Sequence, residues 1–564
     1  MAFLRFTLQV RSVPERIMEW VLIFIPLDLF EAGLRRFGFD AKRYALYGAI
    51  VATLICLALL GSAVLRRCWS PRAILALGGG LWLFGRLVVM PLTSAGFFAL
   101  SLIDGTKAAA GGYFAVALTY ATVLILARSV LTGELTLDRL TGGLAGPALP
   151  APDGTLATGS SPRRSAVMLV GSTLAAYAGT FAAVRWGPSR SLTRVLVGDP
   201  QVPYPSGGIE PPNPHPNLAP TAQPRAAGAP STGRAVEPPA ARQLARDKDG
   251  AALPSGRRPG QLADLITSND DFYIVTKNAA GDPVLNVNQW RLRIDGEVQR
   301  PVEVDYDSLR RLPAMEITKT LECISNFVAK CELAPFGCDL ISTARWKGVR
   351  VSDVLALAGG VKPGAVSLAT IAADEFTTSL PIDVALQPDT LLVYEMNGQV
   401  LPREHGYPVR MLVPGRYGMK NAKWIVALRV MSREFLDWYG QRNWSRQAIV
   451  KTMSRIDVPA PGAVLVPGEH RIAGIAYAGD RGVAKVEFSA DGGRTWEEAQ
   501  FLEPPAGRDV WVRWQGRFTL PPNAELTLVV RATDGTGALQ TEAFSLPQPE
   551  GSSGWHSIEV RSRA

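Results

Sequence analysis

The first 190 residues contain apolar runs too long for a small domain core to cover, and they divide the chain into two chemically different parts. Tyr44–Leu65 is apolar and carries no charge. A second run covers residues 73–103, interrupted by Gly78-Gly79-Gly80, Arg86 and Pro91, and residues 111–130 and 166–184 complete the set. An apolar stretch of roughly 18 residues or more is long enough to cross a bilayer as a helix. Residues 18–34 are a further candidate, broken by Pro26, Asp28 and Glu31. Such a segment either crosses or lies in the interface as an amphipathic helix. Residues 1–186 are therefore expected to form an α-helical membrane bundle with about four or five spans.

Charge bias orients that bundle. Arg66, Arg67 and Arg72 mark one loop, and Arg128, Arg139, Arg163 and Arg164 another, whereas Lys107 is the one cation of Asp104–Ala110 between them. The positive-inside rule places the two basic loops in the cytoplasm and delivers everything after Val184 to the outside. Arg163-Arg164 stand directly before the small-residue-rich run at 166–184, which resembles a twin-arginine export signal in an internal position. A plain topology determinant is the alternative. The net charge of +9 is carried by arginines that are scattered or flank apolar runs. Membrane-flanking charge accounts for it, and no nucleic-acid partner is expected.

Residues 187–260 read as a tether. They are dense in Pro, Ala and Gly, as in Pro203, Pro205, Pro211, Pro212, Pro214 and Pro216, with no apolar periodicity. Such a composition buries too little surface to offset the entropy of ordering. Beyond it the chain is mixed α and β. Trp290–Val298 alternates like a strand, Ser308–Leu312 and Val354–Ala358 read as helical, and Val366–Ala373 and Leu391–Met396 as strands. From about Ile456, short alternating strands separated by turns, with Asp491-Gly492-Gly493 prominent, predict a β-sandwich.

Two stretches carry chemistry. Cys323 sits in Thr320-Leu321-Glu322-Cys323-Ile324-Ser325-Asn326, ahead of Trp346-Lys347-Gly348-Val349. A thiolate is a soft ligand for a redox metal, although a lone cysteine in an apolar segment is usually a small buried hydrophobe. The second stretch is His405-Gly406-Tyr407-Pro408-Val409-Arg410, followed by Gly418-Met419-Lys420-Asn421-Ala422-Lys423-Trp424. A phosphate-bearing cofactor needs fixed cations and free backbone donors, and this composition supplies both. A basic surface turn between two strands would look much the same.

Together the two stretches resemble the sulfite oxidase family of molybdopterin-dependent oxidoreductases, over roughly the last half of the chain. The resemblance implies that Cys323 ligates molybdenum and that Trp346–Val349 forms a turn before a helix. It further implies that His405, Arg410 and Lys423 hold the pterin and its phosphate, with Gly418, Asn421 and Ala422 as a backbone cradle. Asp270, Phe272 and Tyr273 resemble the family's first pterin-contacting stretch, and Asp374 joins that set. Domains follow: a catalytic α+β domain at 261–450 and an immunoglobulin-like dimerisation domain at 451–564, implying a homodimer. Two departures concern substrate. Val275 stands where the family has an anion-binding arginine, and Asn443-Trp444 stand where it has an Asp-Tyr pair beside the metal. With no arginine for a divalent oxyanion, the chain is more similar to bacterial periplasmic relatives that reduce sulfoxides, with Trp444 near the metal. Phe327–Gly337 is an insertion relative to the family, and Cys331 and Cys338 at it can pair in an oxidising compartment.

The four histidines, His215, His405, His470 and His556, lie outside the apolar runs, and no C-x-x-C-H occurs, so no haem is expected. Electrons are expected to pass to or from another protein or a membrane quinone. The expectation is a bacterial plasma-membrane enzyme with an external catalytic domain, acting on a small-molecule or protein sulfoxide. Oxidation of sulfite or another small sulfur compound is the alternative, and a non-enzymatic membrane scaffold with a vestigial pterin fold is the alternative of another class.

Overall fold

The apolar runs are helical wherever the computed structural model describes them, because a helix pairs all its backbone polar groups within one segment. The structure describes residues 12–22, 41–67, 69–92, 106–132, 258–278, 282–331 and 337–563. The chain divides into two units, residues 1–32 with 43–203, and 33–42 with 204–564.

In the first unit, helices Val13–Leu22, Ala41–Arg66, Pro71–Phe84 and Thr106–Leu131 are described. Among the described residues, three helical stretches are long and apolar enough to cross a membrane: Tyr44–Arg66, Pro71–Val89 and Ala109–Leu131. Ser70 caps the second by accepting from Ala73 N at 3.3 Å, and Pro71 occupies its first turn, where a missing N–H costs nothing. That helix runs on through a π-helical turn at Gly85–Val89. The run at 166–184, most of residues 18–34 and the stretch 93–103 lie outside the described residues, as does the tether at 187–257.

In the second unit, a five-stranded sheet runs in the order Val302–Asp305, Arg291–Gly296, Ile425–Met431, Ser367–Ala372 and Thr377–Pro381. Arg291–Gly296 and Ile425–Met431 are parallel and the other pairs antiparallel. Leu292, Ile294, Leu368, Leu380 and Leu428 bury one face with Val351, Val354 and Leu355 of the helix Val351–Ala356. A second sheet is antiparallel: Ala314–Glu322, Ile341–Arg350, Leu391–Met396 and Gln399–Val400, with Arg410–Leu412 also paired to Leu391–Met396. Trp346-Lys347-Gly348-Val349, expected as a turn, lies inside strand Ile341–Arg350 at a register shift. Gly348 is there because the neighbouring strand comes close: a Cβ would stand 2.1 Å from Leu392 O. The glycine thus marks a close approach of two backbones.

The C-terminal strands form two sheets. One runs Met453–Val458, Gly468–Tyr477, Val512–Leu520 and Gln500–Phe501; the other Ala463–Leu465, His556–Ser562, Glu525–Asp534, Val483–Ser489 and Glu497–Glu498. Ile472, Val486, Phe488, Trp514, Leu528 and Val560 share one core between them. At the Asp-Gly-Gly turn, Asp491 accepts from Arg494 N, Thr495 N and Thr495 Oγ1 at 3.0, 2.9 and 2.6 Å.

This sandwich buttresses the strand that leads to Cys323. Thr320 N donates to Asp509 O at 2.9 Å, Trp511 N to Thr320 Oγ1 at 2.9 Å, and Tyr477 Oη to Thr320 O at 3.0 Å. Buried Lys319 donates to Val413 O and to Asp509 Oδ2.

Candidate active site

Cys323 follows strand Ala314–Glu322 by one residue, and its N–H extends the ladder by donating to Leu340 O at 2.9 Å. The loop then folds on itself. Asn326 N donates to Cys323 O at 2.9 Å, Asn326 Nδ2 to Glu322 Oε1 at 2.9 Å, and Leu340 N to Asn326 Oδ1 at 3.0 Å. One asparagine thus closes both ends of the loop. Ser325 N points at the Cys323 sulfur from 3.5 Å. The thiol is not in a disulfide and is buried. Burial lifts the Glu322 carboxyl to about 8.

A cleft opens at Cys323, lined by Phe272, Tyr273, Asp374, His405, Arg410, Gly418, Asn421, Ala422 and Lys423. The second chemical stretch therefore meets the first. Phe272 stacks on Tyr273 with centroids 5.4 Å apart and meets His405 and Trp346 edge-on at 5.3 and 5.6 Å. His405 Nε2 donates to Asn269 O at 3.1 Å, which fixes its ring. Burial, with the Cys323 thiol beside it, holds the Tyr273 phenol well above the usual tyrosine range.

Arg410 is the strongest cofactor candidate. Its Nη1 donates to His405 O and its Nη2 to Asn421 O, each at 3.2 Å, while its buried Nε has no partner. The guanidinium lies 5.1 Å from the Trp346 ring centroid. Burial lowers its pKa to about 10, against a pull from Tyr273. Lys423 Nζ donates to Glu404 O at 2.9 Å and lies 4.3 Å from the Trp424 centroid.

Two expected residues, Asp270 and Trp444, do not line the cleft, while Asn421 lines it with its side-chain amide engaged elsewhere. The Asn421 amide is spent on its own loop: Oδ1 accepts from Val413 N at 2.7 Å, and Nδ2 donates to Arg416 O and Tyr417 O at 3.2 and 3.1 Å. Asn421 itself lines the cleft, where a backbone cradle is expected. Asp270 is exposed and does not line the cleft. Trp444 does not line it either. It packs half-buried with Ile324 and Met419, 6.0 Å edge-on from Tyr439, and it is Tyr439 that faces the cleft. The turn at Gly440–Arg442, with Asn443 left-handed at φ 58°, reverses the chain between the two rings, which spacing alone does not reveal.

Residues beyond the sequence-derived set also line the cleft: Val275, Lys277, Phe376, Ile324, Met419 and Tyr439. Lys277 Nζ donates to Asp374 O at 2.6 Å and stands 3.7 Å from the Asp374 carboxylate. That carboxylate also accepts from Asn278 Nδ2 and Phe376 N at 3.0 and 3.1 Å. Its position two residues after Val275, on an extended segment, is the only sequence signal for Lys277.

Cys331 and Cys338 form a disulfide with Cα atoms 5.1 Å apart, closing the insertion that follows Asn326. Residues 332–336 within it lie outside the described residues. The ligand atoms of Cys331, Cys338 and His556 lie within 4.8 Å of one another. With both sulfurs in a disulfide no thiolate is available, and His556 Nδ1 accepts from Ile456 N at 3.0 Å, so His556 reads as a core histidine.

The cleft fits a phosphate-bearing pterin with a thiolate-bound metal. An unsatisfied, buried guanidinium N–H calls for an anionic acceptor. A Cβ on Gly418 would stand 2.9 Å from Tyr273 Oη and 3.9 Å from Cys323 Cα, so only glycine keeps the cradle open beside the thiol.

Residues 279–439 match the family model of the oxidoreductase molybdopterin binding domain, and residues 446–562 that of the Mo-co oxidoreductase dimerisation domain. The sulfite oxidase of Gallus gallus is 33% identical over 319 residues, covering 50% of this chain and 69% of that protein. The mitochondrial sulfite oxidase of Homo sapiens is 32% identical over 336 residues, covering 52% of this chain but 61% of the relative. Among solved structures, the sulfane dehydrogenase SoxCD from Paracoccus pantotrophus aligns over 65% of this chain and 96% of its own, at 23% identity and a TM-score of 0.49.

Proposed function

The chain belongs to the sulfite oxidase family of molybdopterin oxidoreductases, and from that premise we propose that it is a membrane-anchored enzyme of two-electron oxygen-atom transfer whose substrate is a neutral sulfoxide. The observation that carries the substrate class is the lining of the cleft beyond the cofactor candidates. Val275 stands where an anion-binding arginine is expected, and Ile324, Met419, Phe376 and Tyr439 add apolar or aromatic surface to the same cleft. A divalent oxyanion entering such a wall loses its hydration without a full charge partner, whereas a sulfoxide brings apolar substituents and one strong acceptor oxygen.

When bound, the molybdenum centre supplies the redox step, in which a sulfoxide, two electrons and two protons give the thioether and water. The chain's residues do the rest. Cys323 holds the metal, at the end of a strand pinned by the sandwich. Arg410 and Lys423 neutralise the pterin's phosphate, His405 packs its ring against Phe272, and the backbone of Gly418, Asn421 and Ala422 forms the cradle. Phe376 and Met419 exclude water from the substrate end. The Lys277 ammonium, held by Asp374, is the donor placed to meet a developing negative oxygen.

Lys277 also favours a second reading, oxidation of sulfite or another small sulfur anion, since it puts one cation into the wall that lacks the arginine. The curated relatives named sulfite oxidase support that direction. In either case the three apolar helices anchor the enzyme, the catalytic unit faces out of the cytoplasm, and the immunoglobulin-like sandwich pairs two copies. Electrons pass to or from a separate protein or a membrane quinone.

Molybdenum and pterin assayed on protein from a cofactor-competent host, followed by turnover of methionine sulfoxide against sulfite, test this reading. About one metal per chain and sulfoxide-dependent oxidation of a reduced dye are expected, both lost in Cys323→Ser. Sulfite turnover alone reverses the direction, and a metal-free chain leaves the scaffold reading.

A further inference from the structure

One carboxylate behind the cleft binds three separate segments. Asp437 is 3% exposed. Its Oδ2 accepts from Lys420 Nζ at 2.5 Å, Ser379 N at 3.1 Å and Thr378 Oγ1 at 3.2 Å, and its Oδ1 from Gly440 N at 2.8 Å. Lys420 is 1% exposed and does not line the cleft, but Gly418, Met419, Asn421 and Ala422 on either side of it do. Two residues past Asp437, Tyr439 lines the same cleft. Thus the cofactor cradle and the aromatic wall are joined through a buried ion pair.

We propose that the Lys420–Asp437 pair holds the Tyr439 wall in register with the cofactor cradle, making Asp437 a positioning residue for substrate although it touches neither cofactor nor substrate. This rests on the reading that the Tyr439 end of the cleft takes the substrate. A buried ion pair contributes little net stability compared with apolar groups of the same shape, so stability is a poor account of it. What the pair supplies is direction: four donors from three segments converge on two oxygens and fix those segments relative to one another. The surroundings agree. Trp438 N donates to Thr377 O at 3.2 Å, and Phe376 stands 5.7 Å edge-on from Tyr439. Arg442 covers the Trp438 ring at 3.5 Å and donates to Trp438 O at 2.7 Å. Phe376, Thr377 and Arg442 brace the wall, and the Lys420–Asp437 pair ties it to the cradle, where Met419 shares an apolar cluster with Tyr439. Displacing such a wall by about 1 Å can cost about a hundredfold in rate.

The test uses the full chain carrying its cofactor. Amide hydrogen exchange is read over residues 418–422 and 437–442, with molybdenum per chain, KM and kcat for methionine sulfoxide and a reduced dye as donor. Asp437→Asn is expected to speed exchange about tenfold in both segments and to keep its molybdenum. It should raise KM roughly tenfold while kcat changes less than about threefold. Tyr439→Phe should raise KM comparably with exchange unchanged, and the double variant should be no worse than Asp437→Asn. Faster exchange confined to 437–442, or an unchanged KM in Asp437→Asn, overturns the proposal. Should Asp437→Asn not fold, Lys420→Met reads the same link from the other side, and Lys420→Arg should restore both exchange and KM. A wild type that binds molybdenum yet turns over neither methionine sulfoxide nor sulfite sinks the functional reading alone. The exchange pattern then decides the positioning claim by itself.

Discussion

Arg410 lies over the face of Trp346, guanidinium carbon 5.1 Å from the ring centroid, with its Nε buried and unpaired. A fully buried Trp from the strand after the Cys323 loop therefore orients the cation from the second stretch, and its Nε–H meets no acceptor among the described residues. Removing it is expected to release the cofactor. Arg410→Met should cut molybdenum per chain by about tenfold to a hundredfold, the worth of one charge-assisted hydrogen bond, with little change in the far-ultraviolet circular dichroism. Full metal content in that variant would mean that another group holds the phosphate.

Gly418→Ala places a methyl 2.9 Å from Tyr273 Oη. Overpacking of this kind costs about 1–3 kcal/mol, and the displaced phenol narrows the cradle. A lower Tm and reduced molybdenum are expected. Gly418→Ala with Tyr273→Phe should recover part of both, because the phenolic oxygen is the clashing atom.

Cys331–Cys338 closes a short loop beside the Cys323 segment. A bridge over so few residues contributes about 2 kcal/mol by the chain-entropy account. Mass spectrometry should find two daltons gained on reduction, and Cys331→Ser/Cys338→Ser should melt earlier than the wild type. An equal Tm would show that the hydrogen bonds of Asn326 suffice to hold the loop.

In the sandwich, Asp534 is depressed below the usual carboxylate range. Burial opposes this but is outweighed by hydrogen bonds from Thr536, Arg481 and Ala538. A carboxylate with a depressed folded pKa contributes stability that is complete above its unfolded pKa, about 3.9, and is lost as pH falls through the folded value. The gap in stability between wild type and Asp534→Asn should therefore be widest above about pH 5 and should close towards pH 3. Urea titrations across that range measure it. A gap independent of pH would assign the effect to hydrogen bonding by the neutral group.

Much of the site was legible because its chemistry is local in sequence. Cys323 and its loop carry half of the resemblance to the sulfite oxidase family, and His405, Arg410, Gly418, Ala422 and Lys423, which lie within twenty residues of each other, carry the other half. All of them meet in the cleft with Cys323. The expected strands at Trp290–Val298, Val366–Ala373 and Leu391–Met396 are present with ends moved by a residue or so, since alternation marks the middle of a strand better than its ends. Trp346–Val349 reads as a turn in sequence and is a strand in the fold, because a glycine signals equally a turn and a close approach of backbones.

Read by itself, the sequence marked the apolar runs, a candidate thiol and candidate cations, because each depends on residue type and on spacing along one segment; of the four or five spans it suggests, three are helices of membrane-crossing length among the described residues. Tertiary structure alone decided that Tyr439 and not Trp444 faces the cleft, that the Asn421 amide is spent on its own loop, and that Lys420 turns away to meet Asp437. These outcomes depend on which way a side chain points once segments far apart in sequence have packed. That direction is set by the buried polar groups each segment must satisfy, and only the folded arrangement says which partner is within reach.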